Sequence, residues 1–154
     1  DAAPARAGMR PHSIERVTLH HTGPPAWYGV PSADAYLRGI QRFHMGPERG
    51  WPDIAYHLLI DLDGGVWEGR SLAFAGDTAT AYDPSGHALV AVLGDYDQQQ
   101  PSVAQIEAIV QTVRWVTETY GLDDGTPAGH RDYAATACPG QNLYRLLDDL
   151  RARL

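Results

Sequence analysis

Two clusters in this chain of 154 residues could do metal chemistry: a His20-His21 pair, and His130 followed eight residues later by Cys138. Neutral imidazole and thiolate are donors that zinc favours, and three protein ligands leave a fourth position for a reactive water. Pro139 and Gly140 follow Cys138 and tighten its loop into a candidate metal corner. Strand parity does not choose between His20 and His21, because successive residues of a strand point to opposite faces. A buried structural cysteine among solvated histidines is the plainer reading of the same residues. No H-E-x-x-H is present, so the helical metalloprotease site is excluded.

Composition removes other chemistries. The net charge is −7, and all 12 basic residues are Arg. Without Lys there is no Schiff base and no P-loop lysine, and no G-x-G-x-x-G replaces it. No basic stripe is visible, so a nucleic-acid partner is not expected. The single cysteine rules out an intrachain disulfide. The apolar run Leu58-Leu59-Ile60 falls far short of the roughly 20 residues of a membrane span. Residues 1–10 are rich in Ala, Arg and Pro and read as the tail of a trimmed product, with residues 11–154 as one domain.

The elements that must position these residues are legible from periodicity. Arg16 to His20 alternates and is β-branched, as a strand should be, and Gly23-Pro24-Pro25 follows as a loop. Ser32 caps a helix with Tyr36, Ile40 and Phe43 on its apolar face, and Gly46-Pro47 ends it. Ile54 to Ile60 and Val66 to Glu68 flank an Asp-Gly turn and predict a hairpin that carries Tyr56 and His57. His87 to Leu93 reads as a strand buried on both faces. Ser102 and Gln105 form a capping box ahead of Val103, Ile106, Val110, Val113 and Val116, and Gly121 closes that helix. Leu143, Leu147, Leu150 and Leu154 predict one C-terminal helix over 142–154. The whole is a single α/β domain.

Several motifs occur in order: Leu19-His20-His21-Thr22, Trp51-Pro52-Asp53-Ile54-Ala55-Tyr56-His57, Asp63-Gly64-Gly65-Val66-Trp67-Glu68-Gly69-Arg70, Gly129-His130-Arg131-Asp132 and Thr136-Ala137-Cys138-Pro139-Gly140. From about Arg16 to Leu147 the chain resembles the peptidoglycan recognition protein and type-2 N-acetylmuramoyl-L-alanine amidase family. The resemblance implies a central mixed β-sheet flanked by helices. It also implies zinc-dependent cleavage between N-acetylmuramic acid and the L-alanine of a stem peptide. The alternative within the family is a module that binds peptidoglycan without cutting it; non-catalytic members typically lose the cysteine ligand that Cys138 supplies here.

The resemblance further implies zinc held by His20, His130 and Cys138, with His21 packing on the opposite face. Tyr56 and Thr136 would act beside the metal, and His44, Trp51 and Arg70 would contact substrate. No general acid is certain; Glu68 is a candidate that also reads as structural. Where many members have a groove-lining His this chain has Thr78, and Asp83 stands in place of an Asn, so the peptide-reading part of the groove is altered. The expected setting is a secreted monomer acting on peptidoglycan or muropeptide. An acidic protein gains no electrostatic attraction to a polyanionic wall, so targeting falls to the groove or to an appended module.

Overall fold

Every residue of His87–Val92 is buried, and this strand forms the middle of the sheet. The computed structural model describes residues 6–24, 32–122 and 127–154. Pro25 of the expected loop and residues 1–5 of the expected tail lie outside them. In chain order the elements are β1 Arg16–His21, α1 Ala33–Met45, β2 Leu58–Ile60, β3 Val66–Glu68 and β4 His87–Val92. Then come α2 Val103–Tyr120, β5 Ala128–Gly129, a 3-10 turn His130–Asp132, α3 Gln141–Tyr144 and α4 Leu147–Ala152. The sheet order is β3-β2-β4-β1-β5, parallel except for antiparallel β3, so it is mixed as expected.

Alternation divides β2 and β4 between two cores. Val17 and Leu19 of β1 join Ala88, Val90 and Val92 of β4 against Ile109, Val113 and Val116 of α2 and Leu143, Leu147 and Leu150. On the other face Leu59, Ala91 and Leu93 pack with Tyr36, Leu37 and Ile40 of α1. Full burial of one such aliphatic side chain contributes roughly 1.5–3 kcal/mol. The caps match the sequence: the Ser32 hydroxyl accepts from Ala35 N–H, and Ser102 and Gln105 cap each other reciprocally. In the hairpin turn Gly64 has φ +83°, and a Cβ there would stand 2.7 Å from the Ala104 carbonyl oxygen of α2.

Four expectations need correction. The strand expected from Ile54 begins only at Leu58, so Tyr56 and His57 sit in irregular chain held by Arg70 N–H to Tyr56 O and His57 N–H to Leu89 O. The expected C-terminal helix is two short ones; Leu146 N–H bonds back to Leu143 O, three residues away, and this tighter step separates them. Val103 is 76% exposed because it opens α2 on its outer side, and Ile109 fills the core instead. Phe43 is 45% exposed, since the outer end of the α1 apolar face borders a groove rather than the core. Of the expected tail, residues 6–10 touch the domain: Arg10 O accepts from Ala75 N–H, and Arg6 lies 3.6 Å from Asp53.

His57 joins these layers. Its ring is fully buried, its Nε2 lies 2.9 Å from Phe74 O, and its Nδ1 accepts from Leu89 N–H at 2.9 Å. Burial lowers its pKa from 6.5 to about 4, and a proton on Nδ1 would break the bond to β4. The folded state therefore holds His57 neutral. That contribution is intact above the unfolded value and is lost as pH falls from 6.5 towards 4. Thermal melts between pH 7 and pH 4 should show a shallower acid loss in His57→Gln than in the wild type, although the variant starts less stable.

Candidate metal centre and groove

Register brings the first two donors together. Leu19 pairs with Gly129 across β1 and β5, so His20, next to last in β1, and His130, just past β5, come side by side at the ends of neighbouring parallel strands. Their rings lie 4.5 Å apart. Cys138 arrives from the following loop, tied back by Arg131 N–H to Cys138 O and by His21 N–H to Cys138 Sγ at 3.4 Å. Gly140 has φ +87°, and a Cβ there would come within 2.5 Å of the Tyr96 backbone, so the turn after Cys138-Pro139 requires glycine. Both histidines border the groove, but His20 turns its ring to His130, whereas the His21 ring lies beside Tyr96 and its Nδ1 accepts from Tyr96 N–H.

The donor atoms of His20, His130 and Cys138 all lie within 4.8 Å of one another. Cys138 Sγ is 3.6 Å from His20 Nδ1. Two ligands of one tetrahedral zinc, with bonds of about 2.0–2.1 Å to nitrogen and about 2.3 Å to sulfur, stand about 3.5 Å apart. His20 Nε2 is buried without a hydrogen-bond partner, an unsatisfied polar atom at the cluster. The three residues fit zinc. Burial pushes both imidazoles down, His20 well below its usual value and His130 to about 4, which keeps them in the neutral form that ligates. The same burial pushes the Cys138 thiol up to about 12, so ionising it requires a nearby positive charge.

A groove of about 870 Å³ runs from this cluster along α1. Tyr56 lines it, with its ring 5.4 Å from that of His20 and 5.7 Å from that of His44; burial raises its hydroxyl pKa. His44 closes α1, and its Nδ1 accepts from Ala55 N–H, which puts the ring proton on Nε2. Burial lowers its pKa to about 4, so the ring is neutral at pH 7. Trp51 packs 4.8 Å from His44. Thr136 lines the groove while its hydroxyl oxygen accepts from Cys138 N–H at 3.2 Å. Thr78 lines the groove as well.

Arg70, expected to touch substrate, is elsewhere. It is 2% exposed and does not line the groove. Its guanidinium donates to the carbonyls of Asp53, Ile54 and Ala75 and to Asp77 Oδ2 at 2.5 Å. It therefore fixes the wall that carries Asp77 and Thr78. Asp83 also lies outside the groove, paired with Arg10 at 3.0 Å. Glu68 lies at a smaller cavity with His57 and Trp115, so it does not reach the cluster. Among the described residues Asp77 is the one carboxylate lining the groove.

Sequence reasoning missed two groove residues. Arg49 stacks over the rings of Phe43 and Trp51, 5.4 Å from each, and its place two residues before Trp51 was the available signal. Thr80 Oγ1 lies 2.7 Å from His130 Nε2, and nothing in the sequence marked it.

Comparison with known proteins agrees with this architecture. Residues 10–141 match the family described as N-acetylmuramoyl-L-alanine amidase. A pig N-acetylmuramoyl-L-alanine amidase is 33% identical over 155 residues, 95% of this chain but 25% of the relative. The chain thus spans about a quarter of that protein's length. Drosophila peptidoglycan recognition protein SD superposes with a TM-score of 0.82 at 27% identity, covering 96% of this chain and 88% of that one. A mutant of Drosophila PGRP-LB in complex with tracheal cytotoxin gives 0.81 at 25% identity, covering 95% and 88%. The chain belongs to the N-acetylmuramoyl-L-alanine amidase family and has its single-domain α/β fold.

The position of Arg70 gives a direct expectation. Removing one partner of a buried, hydrogen-bonded ion pair costs about 3–5 kcal/mol. Arg70→Met should therefore lower the denaturant midpoint by a corresponding amount, whereas an Arg that served only as a substrate clamp would leave it unchanged.

Proposed function

We propose that this domain is a zinc-dependent amidase that hydrolyses the bond between N-acetylmuramic acid and L-alanine in peptidoglycan stem peptides. The convergence of His20, His130 and Cys138 within 4.8 Å at the end of the groove carries this reading. The family match and the amidase relatives support it. Peptidoglycan or a muropeptide is the proposed substrate, and a secreted monomer the proposed setting.

His20, His130 and Cys138 would hold the ion. Zinc bound there would supply a Lewis acid and a water acidified to a pKa of about 7. The remaining work belongs to the groove. Tyr56 packs against the ligand His20, where its hydroxyl can donate to the negative charge developing on the amide oxygen. Because burial raises its pKa, the phenol keeps its proton at neutral pH. Thr136 stands beside Cys138 and offers a second hydroxyl. A well-aimed donor of this kind is worth roughly 2–4 kcal/mol to the transition state.

His44, Trp51 and Arg49 form an aromatic and cationic end to the groove, suited to a sugar face and a peptide carboxylate. Thr78 contacts the substrate from the groove wall. Arg70 holds that wall and acts through it.

Two substitutions test the roles separately. Cys138→Ser should lose zinc by elemental analysis and release no stem peptide; full cleavage by that variant would overturn the assignment. Tyr56→Phe should lower kcat about 30–1,000-fold, equivalent to the loss of 2–4 kcal/mol, with little change in KM. An effect confined to KM would make Tyr56 a binding residue.

A further inference from the structure

The stretch 76–83 departs from the family pattern, yet it reaches the ligand cluster as well as the groove wall. Thr80 Oγ1 lies 2.7 Å from His130 Nε2. Thr78 Oγ1 lies 2.7 Å from Thr80 Oγ1 and accepts from Thr80 N–H at 3.1 Å. The Tyr82 ring packs against His130, with centroids 5.2 Å apart. His130 is thus gripped at one nitrogen and along its ring by a segment 50 residues earlier in the chain.

We propose that Thr80 is the positioning residue of the metal centre: its hydroxyl accepts the Nε2–H of His130, so that His130 presents Nδ1 to zinc. The proposal rests on the zinc reading above. A neutral imidazole carries one N–H, so the nitrogen that donates leaves the other with a free lone pair. The donors then run in one direction, from His130 Nε2–H to Thr80 Oγ1 and from Thr80 O–H to Thr78 Oγ1. Thr78 Oγ1 accepts twice, from the Thr80 hydroxyl and the Thr80 amide, which leaves its own O–H for a molecule in the groove. One loop thereby sets the tautomer of a ligand and lines the substrate wall. The reverse polarity, Thr80 O–H donating to Nε2, would leave the proton on Nδ1 and take that nitrogen out of service.

Partners of metal-bound histidines typically contribute 10–100-fold to metal affinity or activity. The test compares wild type, Thr80→Val and Thr80→Ser by zinc competition against a chromophoric chelator. It adds nitrogen-15 NMR of the His130 ring in the metal-free protein. We expect Thr80→Val to bind zinc about 10–100-fold more weakly, and Thr80→Ser to stay within a few-fold of wild type. We also expect wild-type His130 to be the Nε2–H tautomer, and Thr80→Val to shift it towards a mixture.

Unchanged zinc affinity in Thr80→Val would overturn the proposal, as would an Nδ1–H tautomer in the wild type. Should the valine variant fail to fold, the wild-type tautomer and the serine variant still decide. A wild-type protein that takes up no zinc would overturn the zinc reading and the positioning role with it; the tautomer, read without metal, tells that outcome apart from a failure of the Thr80–His130 contact itself.

Discussion

The pairing of β1 with the two residues of β5 is the constraint on which the site depends. It sets Leu19 beside Gly129, and so brings His20 and His130 side by side at the strand ends. Everything nearby protects that register. β1 is locked on its other edge by six residues of β4, and Val17 and Leu19 are fully buried beneath α2. Gly129 admits no side chain, since a Cβ would stand 2.8 Å from the Tyr144 ring. A one-residue slip would exchange the faces that His20 and His21 present.

Burial sets the protonation of the three clustered side chains. Desolvation keeps the two imidazoles neutral but opposes the thiolate, so the cluster carries no charge of its own. A divalent ion would reverse the balance at Cys138 alone and leave the histidines as they are. Among the described residues the one carboxylate lining the groove, Asp77, is paired with Arg70.

The elements with strong local signals were legible in the sequence. Ser32, Ser102 and Gln105 marked the starts of α1 and α2, and the Asp-Gly turn marked the hairpin. The family resemblance, not the spacing, picked His20 over His21 as the candidate ligand; in the structure His20 clusters with His130 and Cys138 while His21 packs against Tyr96. β5 was not legible, because two residues carry no periodicity. Arg70 looked like a clamp because sequence shows a guanidinium but not the three carbonyls and the carboxylate around it. Thr80 was silent for a similar reason: its partner is tertiary, and a threonine in a loop is ordinary.

The central claim is that a metal held by His20, His130 and Cys138 makes the groove hydrolytic. It is tested most directly by mass spectrometry of a defined muropeptide incubated with the protein, with and without a zinc chelator. The account predicts free stem peptide beginning with L-alanine, abolished by the chelator and restored by added zinc. A muropeptide that remains intact while bound to the zinc-loaded protein would contradict it and make the domain a recognition module.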